Sequence, residues 1–208
     1  MSRDTQRSLV YRWERAVTRS GHYAQTIDSV DDVAAYLKPI WRAERGRYGH
    51  AGKPMPEIHP GGWGQVRAHA KPWLHRISLP RWSRNPWVIL HEAAHILAGS
   101  GTGGWHGPRF VGCMIGLAAR HLERDAEALM AKADEMGVRY DRRSIGAVPA
   151  YPLWRKVEPL MPCTYIEAAV ELGLTYREVL GAALHLIRVG QARWRGKTLV
   201  RIQPMEAA

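Results

Sequence analysis

Apolar residues recur at helical spacing along much of the chain. Leu9, Val10, Trp13 and Val17 do so over 3–19 and predict an amphipathic helix that ends at Gly21. Val33, Tyr36, Leu37, Ile40 and Trp41 predict a second helix over 32–45, with Asp31 or Asp32 as its cap. Gly46 to Pro60 is rich in Gly and Pro and predicts a loop. Polar and apolar residues then alternate. Gln65-Val66-Arg67-Ala68-His69 and Leu74-His75-Arg76-Ile77-Ser78 predict two short strands, 63–69 and 73–79, around Lys71-Pro72. Asn85-Pro86 offers a cap and a first-turn proline to a helix running from Trp87 to Ala98, stopped by Gly99. The run GSGTGGWHG predicts a glycine-rich loop, with 99–104 placed to gate a cleft. A long helix follows over 108–136, broken near 118–122 and ended by Gly137.

Four prolines (149, 152, 159 and 162) and weak periodicity mark 138–162 as a boundary. The expected organisation is a main domain over 1–140, a proline-rich linker over 141–162 and a small module over 163–208. In that module a helix at 164–172 meets Gly173-Leu174-Thr175, which starts a second helix over 175–189 closed by Gly190. ARWRGKTLVRI then predicts two strands about Arg195-Gly196-Lys197. Helix, tight turn, helix and basic hairpin is the order of a winged helix-turn-helix. A helical hairpin packed on the main domain is the plainer alternative.

Composition narrows the class. A chain of 208 residues with 46% hydrophobic content, 24% charge and nine Trp is neither disordered nor low-complexity. Two cysteines, Cys113 and Cys163, exclude a disulfide framework and a Cys₄ zinc ribbon. No apolar run is long enough to span a membrane, and the polar start lacks a signal-peptide core, so a soluble, cytoplasmic protein is expected.

The formal net charge of +11 is unevenly placed. No acidic residue lies between Glu57 and Glu92, whereas Arg67, Lys71, Arg76 and Arg81 fall there among Trp63, Trp73, Trp82 and Trp87. Basic residues interleaved with aromatics suit a surface that meets phosphates and stacks bases, and Arg193, Arg195 and Lys197 of the tail hairpin extend this expectation. A solvated strand face whose Trp residues belong to the core is the plainer alternative.

The sharpest chemical signal is His91-Glu92-Ala93-Ala94-His95. Residues four apart on a helix share a face, so both imidazoles can reach one Zn²⁺, and Glu92 beside the first ligand can hold the metal-bound water and take its proton. Chance gives roughly 0.03 such matches in a chain of this composition. A catalytic zinc needs a third protein ligand and an open position. His106 is the leading candidate, because the glycine-rich loop can turn it back toward His95 and a helix starts just after it. His121 and Glu123, on the following helix, are the alternatives.

The run HEAAHILAGSGTGGWHGPRF resembles the SprT-like zinc metallopeptidases, which join a HExxH helix to a later His-Gly-Pro-x-Phe. His91, Glu92 and His95 match the first element, and His106, Gly107, Pro108 and Phe110 the second. RISLP (76–80) sits where that family places its sheet. The opening DTQRSLVYRWE looks like that of a small group of actinobacterial metallohydrolases. The resemblance spans residues 4 to about 135, with specific motifs only over 91–110. It implies an α+β, minimal zincin-like metallopeptidase domain, here followed by a winged-helix-like module. It also implies zinc on His91, His95 and His106, Glu92 as general base, and protein substrates, some of them attached to DNA. The zinc ribbon that many such proteins carry is absent. Substrate strands are expected along the edge of the 63–79 sheet. From another class, the alternative is a DNA-binding regulator whose HExxH domain is a sensor or scaffold. Arg109 and Tyr140 are the residues whose chemistry suits oxyanion stabilisation.

Overall fold

The computed structural model describes all residues except 1–3, 5, 19–25, 100–103, 148–155, 174–175, 189–190 and 202–208. It is a mixed α+β chain, with eight helices and two three-stranded sheets among the described residues. The chain divides into two compact units, Met1–Pro149 and Ala150–Ala208.

In the first unit, α1 (Arg7–Thr18) and α2 (Val30–Glu44) precede a small sheet, and α3 (Pro86–Ala98), α4 (Pro108–His121), α5 (Ala126–Glu135) and α6 (Arg142–Ile145) follow it. Ser29 caps α2 by accepting from the Asp32 N–H, so the cap lies just before the two aspartates proposed for it. Asn85 caps α3 by accepting from the Val88 N–H, and Pro86 occupies the first turn as the sequence predicts. Nearly every residue of α3 is buried, which is why it reads as apolar all round. The break expected near 118–122 divides the long helix in two: α4 ends at His121, and Asp125 caps α5 by accepting from the Glu127 N–H.

The sheet differs from the predicted hairpin. Its strands are β1 (Glu57–His59), β2 (His69–Lys71) and β3 (Arg76–Ser78), in the order β1-β3-β2. β2 pairs antiparallel with β3, Ala70 opposite Ile77, while β1 pairs parallel with β3, Ile58 opposite Ile77. Residues 60–68 form turns and bends, because their glycines interrupt the alternation, and Pro72–Leu74 is a 3₁₀ turn. The segment 46–60 therefore holds a strand where a loop was expected.

Trp13, Trp41, Leu37, Ile77, Leu79, Leu90, Phe110 and Met114 form the centre of the core. The Trp13 indole donates to the Leu129 carbonyl at 3.2 Å and ties α1 to α5. Gly112 and Gly116 let α6 approach α4 closely, since a β-carbon on either would collide with the carbonyl oxygens of Asp141 and Ile145. Below that contact, Arg120 donates to both carboxylate oxygens of the buried Glu44, at 2.7 and 2.8 Å, and His121 bonds the same group at 2.9 Å.

In the second unit, β4 (Cys163–Thr164) leads into α7 (Tyr165–Leu172), α8 (Tyr176–Arg188), β5 (Ala192–Arg195) and β6 (Thr198–Arg201). Thr164 and Glu167 close a capping box at α7. The sheet order is β4-β6-β5, with the hairpin turning at Gly196 in the left-handed region. Val157, Ala168, Val179, Ala183, Leu186 and Leu199 form a separate core. No helix among the described residues is long and apolar enough to cross a membrane. Gly21 and Gly190, expected to end helices, and 100–103 of the expected gate lie outside the described residues.

Candidate metal centre

Helix α3 places His91 and His95 one turn apart on one face, with His95 Nε2 3.2 Å from His91 Nε2. The chain leaves α3 at Gly99 and returns at Gly104, and His106 then arrives just before Pro108 starts α4. One ring nitrogen from each of His91, His95 and His106 lies within 4.8 Å of the others, and all three side chains are buried. Three such histidines can hold a metal ion.

Two carboxylates brace the cluster from α1 and the segment before it. Glu14 Oε1 lies 2.7 Å from His91 Nδ1 and also accepts from the Trp87 indole at 3.2 Å. Asp4 Oδ2 lies 2.6 Å from His106 Nδ1. Each contact makes Nδ1 the donor and turns Nε2 inward, the arrangement that fixes the tautomer of a metal-binding imidazole. Close approach makes the second contact available: Gly104 packs against the Asp4 backbone, where a β-carbon would sit only 2.9 Å from the Asp4 Cα. Gln6 adds a clamp, donating to the carbonyls of His106 at 2.8 Å and Arg139 at 2.9 Å. Aromatic rings hold the imidazoles on other sides. Phe110 stacks on His95 with centroids 4.4 Å apart, and Tyr11 stacks on His91 at 5.8 Å.

The electrostatics follow from this packing. Burial opposes charge on His91, but the Glu14 carboxylate outweighs it and holds the imidazole up at about 8. Burial, reinforced by the neighbouring His91 and His106, pushes His95 well below the ordinary range. Burial also lowers His106, against the pull of Asp4. Burial pushes the Glu92 carboxyl up to about 7, although His91 and the Ala70 N–H of β2 both favour its charged form. Glu92 Oε2 and His106 Nε2 are buried without a hydrogen-bond partner. A buried imidazole nitrogen left open beside two others fits a metal ligand better than a packing residue, because such an atom is otherwise costly.

The other candidates sit apart. His121 bonds Glu44, and Glu123 is exposed just beyond α4, so neither joins the three histidines. Tyr140 donates its hydroxyl to Asp134, and Arg109 lines a different cavity with His50 and His75. Of the basic residues, Arg67 lines a cleft that reaches His91 and Glu92, while Lys71 lies in β2. Arg76 pairs with Glu57 at 3.1 Å, and Arg81 is exposed in a 3₁₀ turn. Arg193, Arg195 and Lys197 are exposed on the hairpin of the second unit. Trp63, Trp73 and Trp82 are exposed and Trp87 is buried, so only the last belongs to the core.

Asp4 and Glu14 are the site residues that sequence reasoning missed. Glu14 had a signal: it follows Trp13 on the apolar stripe of α1, where a carboxylate needs a buried partner. Compared with family models, curated proteins and solved structures, the chain matches none.

Proposed function

We propose that the first unit is a zinc-dependent hydrolase of peptide bonds related to the SprT-like metallopeptidases. The observation that carries this reading is the histidine triplet with Glu92 beside it, two of its imidazoles braced by Asp4 and Glu14. Three imidazole donors suit Zn²⁺, with His91 giving up its extra proton when the ion binds, and three protein ligands are the catalytic rather than the structural number. His91, His95 and His106 would hold the ion, which when bound supplies Lewis-acid polarisation of a carbonyl and activation of water.

The chain's own groups supply the remaining chemistry. Glu92, next in sequence to His91 and with one oxygen unpartnered, takes the proton from the attacking water and passes it to the leaving amine. Glu14 and Asp4 keep Nε2 of His91 and His106 turned inward. β2 is an edge strand whose Ala70 N–H reaches Glu92, so an extended substrate added along that edge would run past the general base. Cleavage of casein or a generic peptide by zinc-loaded protein, lost in Glu92→Gln, tests the reading.

The second unit offers a targeting role. Its helix-turn-helix order and the exposed Arg193, Arg195 and Lys197 support DNA binding, with proteins on DNA as substrates. The same hairpin favours the second reading, a DNA-binding regulator in which the first unit senses metal. Salt-dependent duplex binding, weakened when the three basic residues become Ala, supports either reading. Turnover that vanishes in Glu92→Gln then separates enzyme from regulator.

A further inference from the structure

Beside the histidine cluster lies a cleft of about 780 Å³ that reaches His91 and Glu92. One wall is α1, whose Arg7, Tyr11 and Arg15 follow at four-residue spacing and so share a helix face. Arg67 and Trp82 contribute from the turns around the sheet, and Val88 contributes from α3.

Charge in this cleft is one-sided. Of its two carboxylates, Glu14 is engaged by His91 and Trp87, and Glu92 is buried with one oxygen toward the Ala70 N–H and the other open. Among the described residues, no ion pair engages Arg7, Arg15 or Arg67. The first two are held in place all the same. The Arg7 guanidinium lies 5.5 Å from the Tyr11 ring centre, and Arg15 Nε donates to the Tyr11 carbonyl at 3.3 Å. These three arginines are exposed at the rim of the cleft, and guanidinium groups without a carboxylate partner of their own are suited to take one in a forked hydrogen bond. The volume is that of a small-ligand pocket, enough for a few peptide residues. A phosphate strand needs a longer basic groove.

We infer that this cleft binds a carboxylate of the substrate, so that the protein selects peptides carrying an Asp or Glu side chain, or a free C-terminus, near the bond presented to Glu92. The inference rests on the hydrolase reading and names its substrate class. Arg7, Arg15 and Arg67 act as specificity-determining residues.

Two measurements on the full chain keep the two claims apart. The first compares cleavage of matched quenched-fluorescence peptides carrying Glu, Gln or Lys, each with a free or an amidated C-terminus. The expected kcat/KM is about tenfold higher for Glu than for Gln, with Lys lowest, and Arg15→Glu with Arg67→Glu reverses the order of Glu and Lys. A preference that survives amidation assigns the side chain, and one seen only as a gain from the free terminus assigns the terminal carboxylate. The second measures binding of the same peptides to Glu92→Gln by fluorescence anisotropy, where the same order is expected without turnover. Tighter binding of Glu peptides with no cleavage by the wild type keeps the carboxylate site and removes the hydrolase. Equal cleavage and equal binding of all three peptides, with free and amidated C-termini alike, overturns the carboxylate site and leaves the hydrolase standing. An oligothymidylate that binds more tightly than the Glu peptide and displaces it makes the occupant a nucleic acid and likewise overturns the inference.

Discussion

Glu14 and His91 lie 77 positions apart in sequence and meet at 2.7 Å, carboxylate oxygen to Nδ1, inside the first unit. The same oxygen accepts from Trp87, so one carboxylate on α1 fixes both the start of α3 and the tautomer of its first histidine. A ring held this way cannot rotate its Nε2 away from His95 without breaking a buried charge-assisted bond.

Glu14→Ala is therefore expected to weaken zinc binding by about 10- to 100-fold, as loss of an outer carboxylate partner does at comparable sites. Competition against a fluorescent chelator reads the change. Asp4→Ala should behave alike through His106, from which Asp4 Oδ2 stands 2.6 Å. Unchanged zinc affinity in both variants would mean that the imidazoles are oriented by packing against Phe110 and Tyr11 alone.

Glu92→Gln keeps the shape of the side chain and removes the proton transfer proposed for it. Turnover should fall by about 100-fold or more, the scale of a lost general base, while zinc stoichiometry stays that of the wild type. Retained turnover would assign the proton to another group.

Besides the depressed His95 and His106 of the site, which resist taking up protons as pH falls below about 6.5, Glu44 away from the site should carry a separate acid sensitivity at lower pH. Burial raises its proton affinity, but the bonds from His121 and Arg120 prevail and set it below the ordinary carboxylate value. A carboxylate depressed in the folded state stabilises the fold above its unfolded pKa, near 4.5, and loses that contribution as pH falls through the folded value. Glu44→Gln should cost about 2 kcal/mol near pH 7 and flatten the acid limb of stability against pH below about 4.5. Chemical denaturation at a series of pH values tests both statements. A parallel acid limb in the variant would place the sensitivity elsewhere.

Gly112→Ala should destabilise by about 1–3 kcal/mol, because the new methyl meets the Asp141 carbonyl oxygen, backbone that cannot swing aside. Gly181→Ala, with open space around it on α8, is the matched control and should be neutral or slightly stabilising. Equal thermal midpoints for the two would show that α6 yields at the contact.

Much of this site was legible because its signals are local. Asn85-Pro86 and Gly99 mark both ends of α3, and His91, Glu92 and His95 follow from helical spacing once that helix is granted. His106 was within reach because Pro108 starts a helix that fixes where the return from Gly104 ends. The sheet was harder to read. Three-residue strands are too short for alternation to register, and the Gly and Pro around Glu57–His59 hid β1. Its parallel pairing with β3 is set by the tertiary fold, not by any turn sequence. Asp4 was out of reach for a similar reason: its meeting with His106 depends on chain crossing at Gly104, which no periodicity encodes.

The most direct test of the metal centre is elemental mass spectrometry on purified wild type and His106→Ala after zinc reconstitution and dialysis. The expected result is about one zinc per wild-type chain and its loss or sharp weakening in the variant. A wild type that holds no zinc, or a variant that holds it as tightly as the wild type, would contradict the three-histidine site.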